Sequence, residues 1–235
     1  MTRRYTAAFM TLLYIGLSSE PCLAEACQSV NVPNDRRVAL YRVSRHVQTG
    51  QLHVLAVGTA FTLGDAEWRE EQSYPAFLED KLRRRLPQVD VQVLNGGRDG
   101  ATIWEMLSVI QEYIDAKTPS VVVWQVGPAD AIQDSGVEIF QEALHQGIAA
   151  VQAAGADVVL IDLPYGPEPY RYKALREYQN AIVATAREMN VGLISVYSRM
   201  ARHFSGTKVR TPHECTADLV ANYVMQSLRY EQRNR

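Results

Sequence analysis

HVLAVGTAFTLGD, His53 to Asp65, is the stretch from which the fold of this chain can be read. Val54, Leu55, Ala56 and Val57 form an unbroken apolar run, the pattern of a strand covered on both faces. Gly58 then opens a tight turn. A buried strand that leaves through a glycine turn usually presents a working residue there. The side chains available at this one are Thr59, Ala60 and Phe61, so the platform carries an alanine.

Outward from this point the chain alternates. Further strand-like runs are VQVLN (91–95), VVVWQVG (121–127), DVVLID (157–162) and VGLISVY (191–197). Helical patterns fill 74–86, 102–116, 137–155 and 172–190, and a last helix is expected from about Thr216 to Arg229. Continuous apolar strands, each followed by an amphipathic helix, predict a parallel sheet covered on both faces. The fold class is therefore α/β and doubly wound, a flavodoxin-like three-layer sandwich with a central parallel sheet of about five strands. Sites in such sheets form at the carboxyl ends of strands, here after Gly58, Asn95 and Gly127.

With 235 residues, 47% hydrophobic and 21% charged, the chain has the composition of one soluble globular domain. The net charge of −2 favours neither nucleic acid nor an anionic membrane surface. KLRRRLP (Lys81 to Pro87) is the densest basic run and reads as the last turn of a helix, where cations complement the dipole. His46, His53, His145 and His203 lack ligand-like spacing, and Cys215 beside His213 is too little for a metal site. No metal or cofactor is expected.

Residues 1–26 read as a signal peptide, with the domain following over 27–235. Arg3 and Arg4 form a positive n-region, Tyr5 to Leu17 an apolar stretch, and Ala24-Glu25-Ala26 an A-x-A cleavage site. The apolar stretch is too short to span a bilayer, so a periplasmic or secreted protein with no transmembrane segment is expected. Lipidation of Cys27 is the alternative, and Glu25 fits that pattern badly. Cleavage removes Cys22 and leaves Cys27 and Cys215, which in an oxidising compartment are either one disulfide or two thiols.

Three strand ends and a late histidine together resemble the ordered blocks of the SGNH (GDSL-like) hydrolases, in their exported bacterial branch. The carriers are VLAVGTAFTLG, SYPAFLEDKLRRRLP, VLNGGRDGATIWEML, VVWQVG, GADVVLIDLPYGP and the late His213. The resemblance implies an esterase or acyl-hydrolase ancestry with no cofactor. It also implies the roles of particular positions, and several are vacant. Ala60 falls where the nucleophilic serine belongs. Gly97 falls on the oxyanion-hole glycine, with an N–H expected to be usable whatever surrounds it. Ala129 replaces the asparagine donor, and Arg210 stands where an aspartate should orient His213. A cation there disfavours an imidazolium. His213 itself reads either as a remnant base or as a surface histidine at a helix N-terminus.

Three functions fit these residues. One is a binding protein that has lost hydrolysis and holds an acylated cell-envelope carbohydrate or similar small ligand. The loop LPYGPEPYRYK (Leu163 to Lys173), with its tyrosines, would lie near the cleft. Another is an active esterase using Asp130 or Asp99 with His213. The last is a structural or regulatory module that binds a protein.

Overall fold

A computed structural model describes residues 35–64, 70–162, 175–196 and 212–233 of the chain. Five parallel strands form one sheet among these residues: β1 (Gln51–Gly58), β2 (Asp90–Gly97), β3 (Val121–Gln125), β4 (Asp157–Ile161) and β5 (Gly192–Ile194). Their order is β2-β1-β3-β4-β5, the flavodoxin-like arrangement, in which the chain reverses direction across the sheet between β1 and β3. The expected doubly wound α/β fold is the fold observed.

The helices are α1 (Tyr41–Gln48), α2 (Ala60–Leu63), α3 (Tyr74–Arg85), α4 (Ile103–Ala116), α5 (Pro128–Gln133), α6 (Val137–Ala153), α7 (Leu175–Glu188) and α8 (Pro212–Arg233). They form two layers. On one face Met106, Ile110, Phe140, Leu144 and Ile182 from α4, α6 and α7 close over Leu55, Trp124 and Leu160. On the other, Val43, Leu78, Leu82, Val220 and Val224 from α1, α3 and α8 close over Val54, Val123 and Ile161. Burial on both sides explains why β1 reads as an apolar run rather than an alternating one: every residue after Gln51 is buried.

Several boundaries differ from the sequence expectations. Strand β5 is only Gly192–Ile194, shorter than VGLISVY suggests. Helix α8 begins at Pro212, earlier than Thr216, because proline at a first helical position lacks only an N–H that would have no helical partner anyway. Helix α3 ends on Arg83, Arg84 and Arg85 as its basic run implies, and Arg83 and Arg84 also pair with Glu79 and Asp80 one turn back.

Between α3 and α8 lies a half-hidden charge cluster, with Lys81 Nζ 2.9 Å from Asp218 Oδ1 and the Arg85 guanidinium 3.7 Å away. It fixes α8 against α3 five residues after His213. No helix among the described residues is long and apolar enough to cross a membrane.

Candidate functional site

The carboxyl ends of β1, β2 and β3 lie side by side, with Gly58 in register with Gly97. β1 stops at Gly58, and Ala60 begins the single turn of α2 with Thr59 as its extended N-cap. Glycine is required at position 58 by crowding: a Cβ there would lie 2.1 Å from Thr62 Oγ1 and 2.6 Å from Gln125 Oε1.

Those two neighbours belong to a buried polar knot. Gln125 Oε1 accepts from Thr62 Oγ1 at 3.0 Å and from the Thr59 N–H at 3.2 Å. The Gln125 amide also meets the Thr59 hydroxyl at 3.3 Å. The hydroxyls nearest Ala60, those of Thr59 and Thr62, therefore both contact Gln125 and hold the turn.

Gly97 overturns one expectation. Its N–H donates to Asn95 Oδ1 at 3.0 Å, while Asn95 Nδ2 donates to Leu63 O at 3.1 Å. Asn95 thus ties the end of α2 to the end of β2, and the N–H expected to stand ready for an oxyanion is already engaged. The glycine itself is needed because α2 lies directly on it, with a Cβ at 97 falling 2.3 Å from Leu63 N.

Ala129 sits in the first turn of α5, 6% exposed, with a methyl group where a donor would be needed. Its neighbour Asp130 is fully buried and accepts from the Ile103 N–H at 3.1 and 3.2 Å, capping α4 from outside. Burial pushes the Asp130 carboxyl up, and the Ile103 hydrogen bond only partly offsets that. An acid so tied is a helix cap, and Asp99 is exposed on the neighbouring loop.

His213 is the second residue of α8 and only 1% exposed, so it is not the surface histidine of one reading. Its ring stacks on Phe61 at 4.3 Å and 12°, and Phe61 stacks in turn on Tyr74 at 5.7 Å. Burial holds the Tyr74 phenol well above its ordinary range. Because Phe61 follows Ala60, the stack brings His213 to the α2 turn. Ala60, Gly97 and His213 therefore gather around α2. Ala129 stands one strand away, linked through Asp130 to the start of α4.

Other residues at this end escaped the sequence reading. Gln125 and Asn95 hold the turn, and their signal was available as lone polar residues at the ends of apolar runs. Asp162 and Ser195, both buried after β4 and β5, pair through Ser195 Oγ at 2.5 Å, while Asp162 also accepts from the Val196 N–H at 2.7 Å. Arg210, Cys27, the signal segment and the LPYGPEPYRYK loop lie outside the described residues. No group of three or more acidic, histidine or cysteine side chains arranged to hold a metal occurs among the described residues.

The sequence pattern of the non-GDSL lipase-like family matches residues 26–229, most of the chain. The chain belongs to that family. Among curated proteins, an arylesterase of Vibrio mimicus is 28% identical over 97 residues, 41% of this chain and 48% of the relative. The match thus spans about half of the relative's length.

Solved structures show the same fold at low identity. A protein of the G-D-S-L family from Desulfitobacterium hafniense aligns with TM-score 0.57 and 22% identity, covering 75% of this chain and 99% of that one. An acetylxylan esterase from Geobacillus stearothermophilus aligns with TM-score 0.60 and 13% identity, covering 75% and 94%. The non-GDSL lipase-like chain therefore has a G-D-S-L-type hydrolase fold, with Ala60 on the turn after the first strand.

Proposed function

We propose that this chain is an exported member of its family that binds an acylated cell-envelope carbohydrate without cleaving it. The observation that carries the reading is the α2 turn. Ala60 offers no nucleophile, the hydroxyls beside it are locked on Gln125, and the Gly97 N–H is taken by Asn95. A methyl group cannot form an acyl-enzyme. In measured hydrolases, losing a triad member leaves roughly 10³–10⁴-fold catalysis over water, and one oxyanion donor is worth about 10²–10³.

An acylated glycan is supported by the structural neighbour that is an acetylxylan esterase. Export is supported by Arg3, Arg4, the short apolar run and Ala24-Glu25-Ala26. A Cys27–Cys215 bridge belongs to the same reading, and it is supported by these being the two cysteines that remain after cleavage, in an oxidising compartment.

Hydrolysis of p-nitrophenyl acetate by the purified chain tests the loss of catalysis. The expected rate equals the rate without protein. Ala60→Ser alone restores little, whereas Ala60→Ser, Ala129→Asn and Arg210→Asp together restore more. Robust turnover by the parent chain would overturn the reading, and its survival in His213→Ala would place the chemistry elsewhere. Binding of an acetylated xylo-oligosaccharide, with its deacetylated form as control, tests the ligand. Equal affinity for both forms would remove the acyl group from the proposal.

A further inference from the structure

A cavity of about 840 Å³ opens at the amino ends of β4 and β5, the opposite end of the sheet from Ala60. Its size falls within the roughly 300–1,000 Å³ of small-molecule sites. Arg36, Arg37 and Arg42 line it, with Asp157 as the acid in its wall.

Arg36 and Arg37 are held by uncharged partners, while Arg42 acts electrostatically on the Asp157 carboxylate. Arg36 Nη2 donates to Asn190 Oδ1 and Arg37 Nη1 donates to Gln226 Oε1, each at 2.5 Å, so neutral amides hold both guanidinium groups. The buried Arg36 Nε has no hydrogen-bond partner among the described residues. None of the three arginines pairs with a described carboxylate. Asp157 directs Oδ2 to the backbone N–H groups of Arg42 and Val43 at 2.8 and 3.0 Å. Guanidinium forks fixed by uncharged partners are prearranged for a planar oxyanion, which they bind in bidentate fashion.

Two further features narrow the ligand. Tyr41 and Tyr230 line the same cavity and are 63% and 60% exposed, which leaves ring faces and hydroxyl tips open at its edge. Gln152 also lines it; its Nε2 donates to Met189 O at 3.2 Å, so its Oε1 is the atom suited to a ligand hydroxyl. Carboxylate-binding forks, amides and open aromatic faces suit a sugar chain that bears carboxylates.

We propose that this cavity is a second binding site, for an anionic, uronate-type oligosaccharide. It shares no residue with the α2 turn and does not depend on how that turn is read. The cationic lining also accounts for a local anion site on a chain whose net charge is −2.

Calorimetric titration of the purified full chain with an oligogalacturonate tests the assignment, with a malto-oligosaccharide of equal length as neutral control. Inorganic phosphate and a single-stranded oligonucleotide complete the set. The expected result is saturable binding of the oligogalacturonate alone, weakening as salt is added. Arg37→Gln and Arg42→Gln should each weaken it about tenfold, the effect of one charged hydrogen bond, at unchanged melting temperature. Arg37→Lys should recover part of the loss. Tyr230→Ala, a change at an exposed ring, should weaken binding severalfold and keep its salt dependence, so the test survives if an arginine variant misfolds. Equal affinity for the neutral chain, for phosphate or for the oligonucleotide overturns the proposal. Unchanged affinity in all the variants does so as well.

Discussion

Gln125 shows how one side chain can hold a turn that the backbone alone leaves open. Its amide satisfies the Thr59 N–H and the Thr62 hydroxyl in a place water does not reach. Gln125→Ala strands both donors, and each buried donor without a partner costs about 1–3 kcal/mol. The variant should lose roughly 2–4 kcal/mol of stability in urea unfolding; a loss within error would show that the turn does not depend on the knot. Gly97→Ala should be at least as damaging, because its methyl group would meet backbone atoms of α2 rather than a flexible side-chain tip. A melting temperature equal to the parent's would contradict that close approach. Position 60 was legible in sequence because residue type decides it. The fate of the Gly97 N–H was not, because it depends on Asn95 folding back over two residues after α2 has docked. Gln125 lay between: a glutamine inside VVVWQVG is visible, but its partners Thr59 and Thr62 come from the α2 turn, 66 and 63 residues away.

At the scale of elements, period was a good guide only where the element was long enough to show one. α4, α6 and α7 carry several turns of apolar spacing and fell near their expected places. α2 and α5 have four and six residues, too few for a 3.6-residue pattern to repeat, and were not expected as helices. α1 was missed as well, with only Val43 and Ser44 buried among otherwise exposed or half-buried residues. Its anchor lies far away in sequence: Asp157 receives the N–H groups of Arg42 and Val43 at the helix start. Burial raises the Asp157 carboxyl from 3.8 to about 6, with those two hydrogen bonds acting the other way. The folded chain therefore keeps a proton that the unfolded chain has already released. Stability falls as pH rises from about 4 to about 6 and levels off above, by on the order of 1–2 kcal/mol after allowance for solvent screening. Asp130 is shifted in the same direction, so Asp157→Asn should reduce the slope rather than abolish it. Urea midpoints across that window would show this, and an unreduced slope in Asp157→Asn would assign it to another group.

Across the whole molecule, the order β2-β1-β3-β4-β5 separates the two proposed sites. The turn around Ala60 lies at the carboxyl ends of the first strands, and the arginine cavity lies at the amino ends of the last ones. α8 spans the layer behind both, carrying His213 at its start and Tyr223, Gln226 and Tyr230 along its length. The chain entering α1 leans on the same helix, since the Val38 N–H donates to the Tyr223 hydroxyl at 2.7 Å and the Leu40 N–H to Ser227 Oγ at 2.6 Å. A bridge from Cys27 to Cys215 would complete this arrangement by pinning the segment before α1 to the first turn of α8. Such a link closes nearly the whole domain, and constraining so long a loop in the unfolded chain is worth roughly 5 kcal/mol on the chain-entropy account. Cys215→Ser should therefore lower the urea midpoint well beyond the effect of a surface change, and the parent under reducing conditions should approach the same value. The change also replaces a 6%-exposed sulfur, so reduction of the parent is the cleaner comparison. Intact mass under non-reducing conditions supplies the direct reading: two hydrogens fewer than the reduced chain, with neither cysteine alkylated. Two alkylated thiols in protein recovered from an oxidising compartment would remove the bridge, and leave α8 held by Lys81, Asp218 and its apolar face.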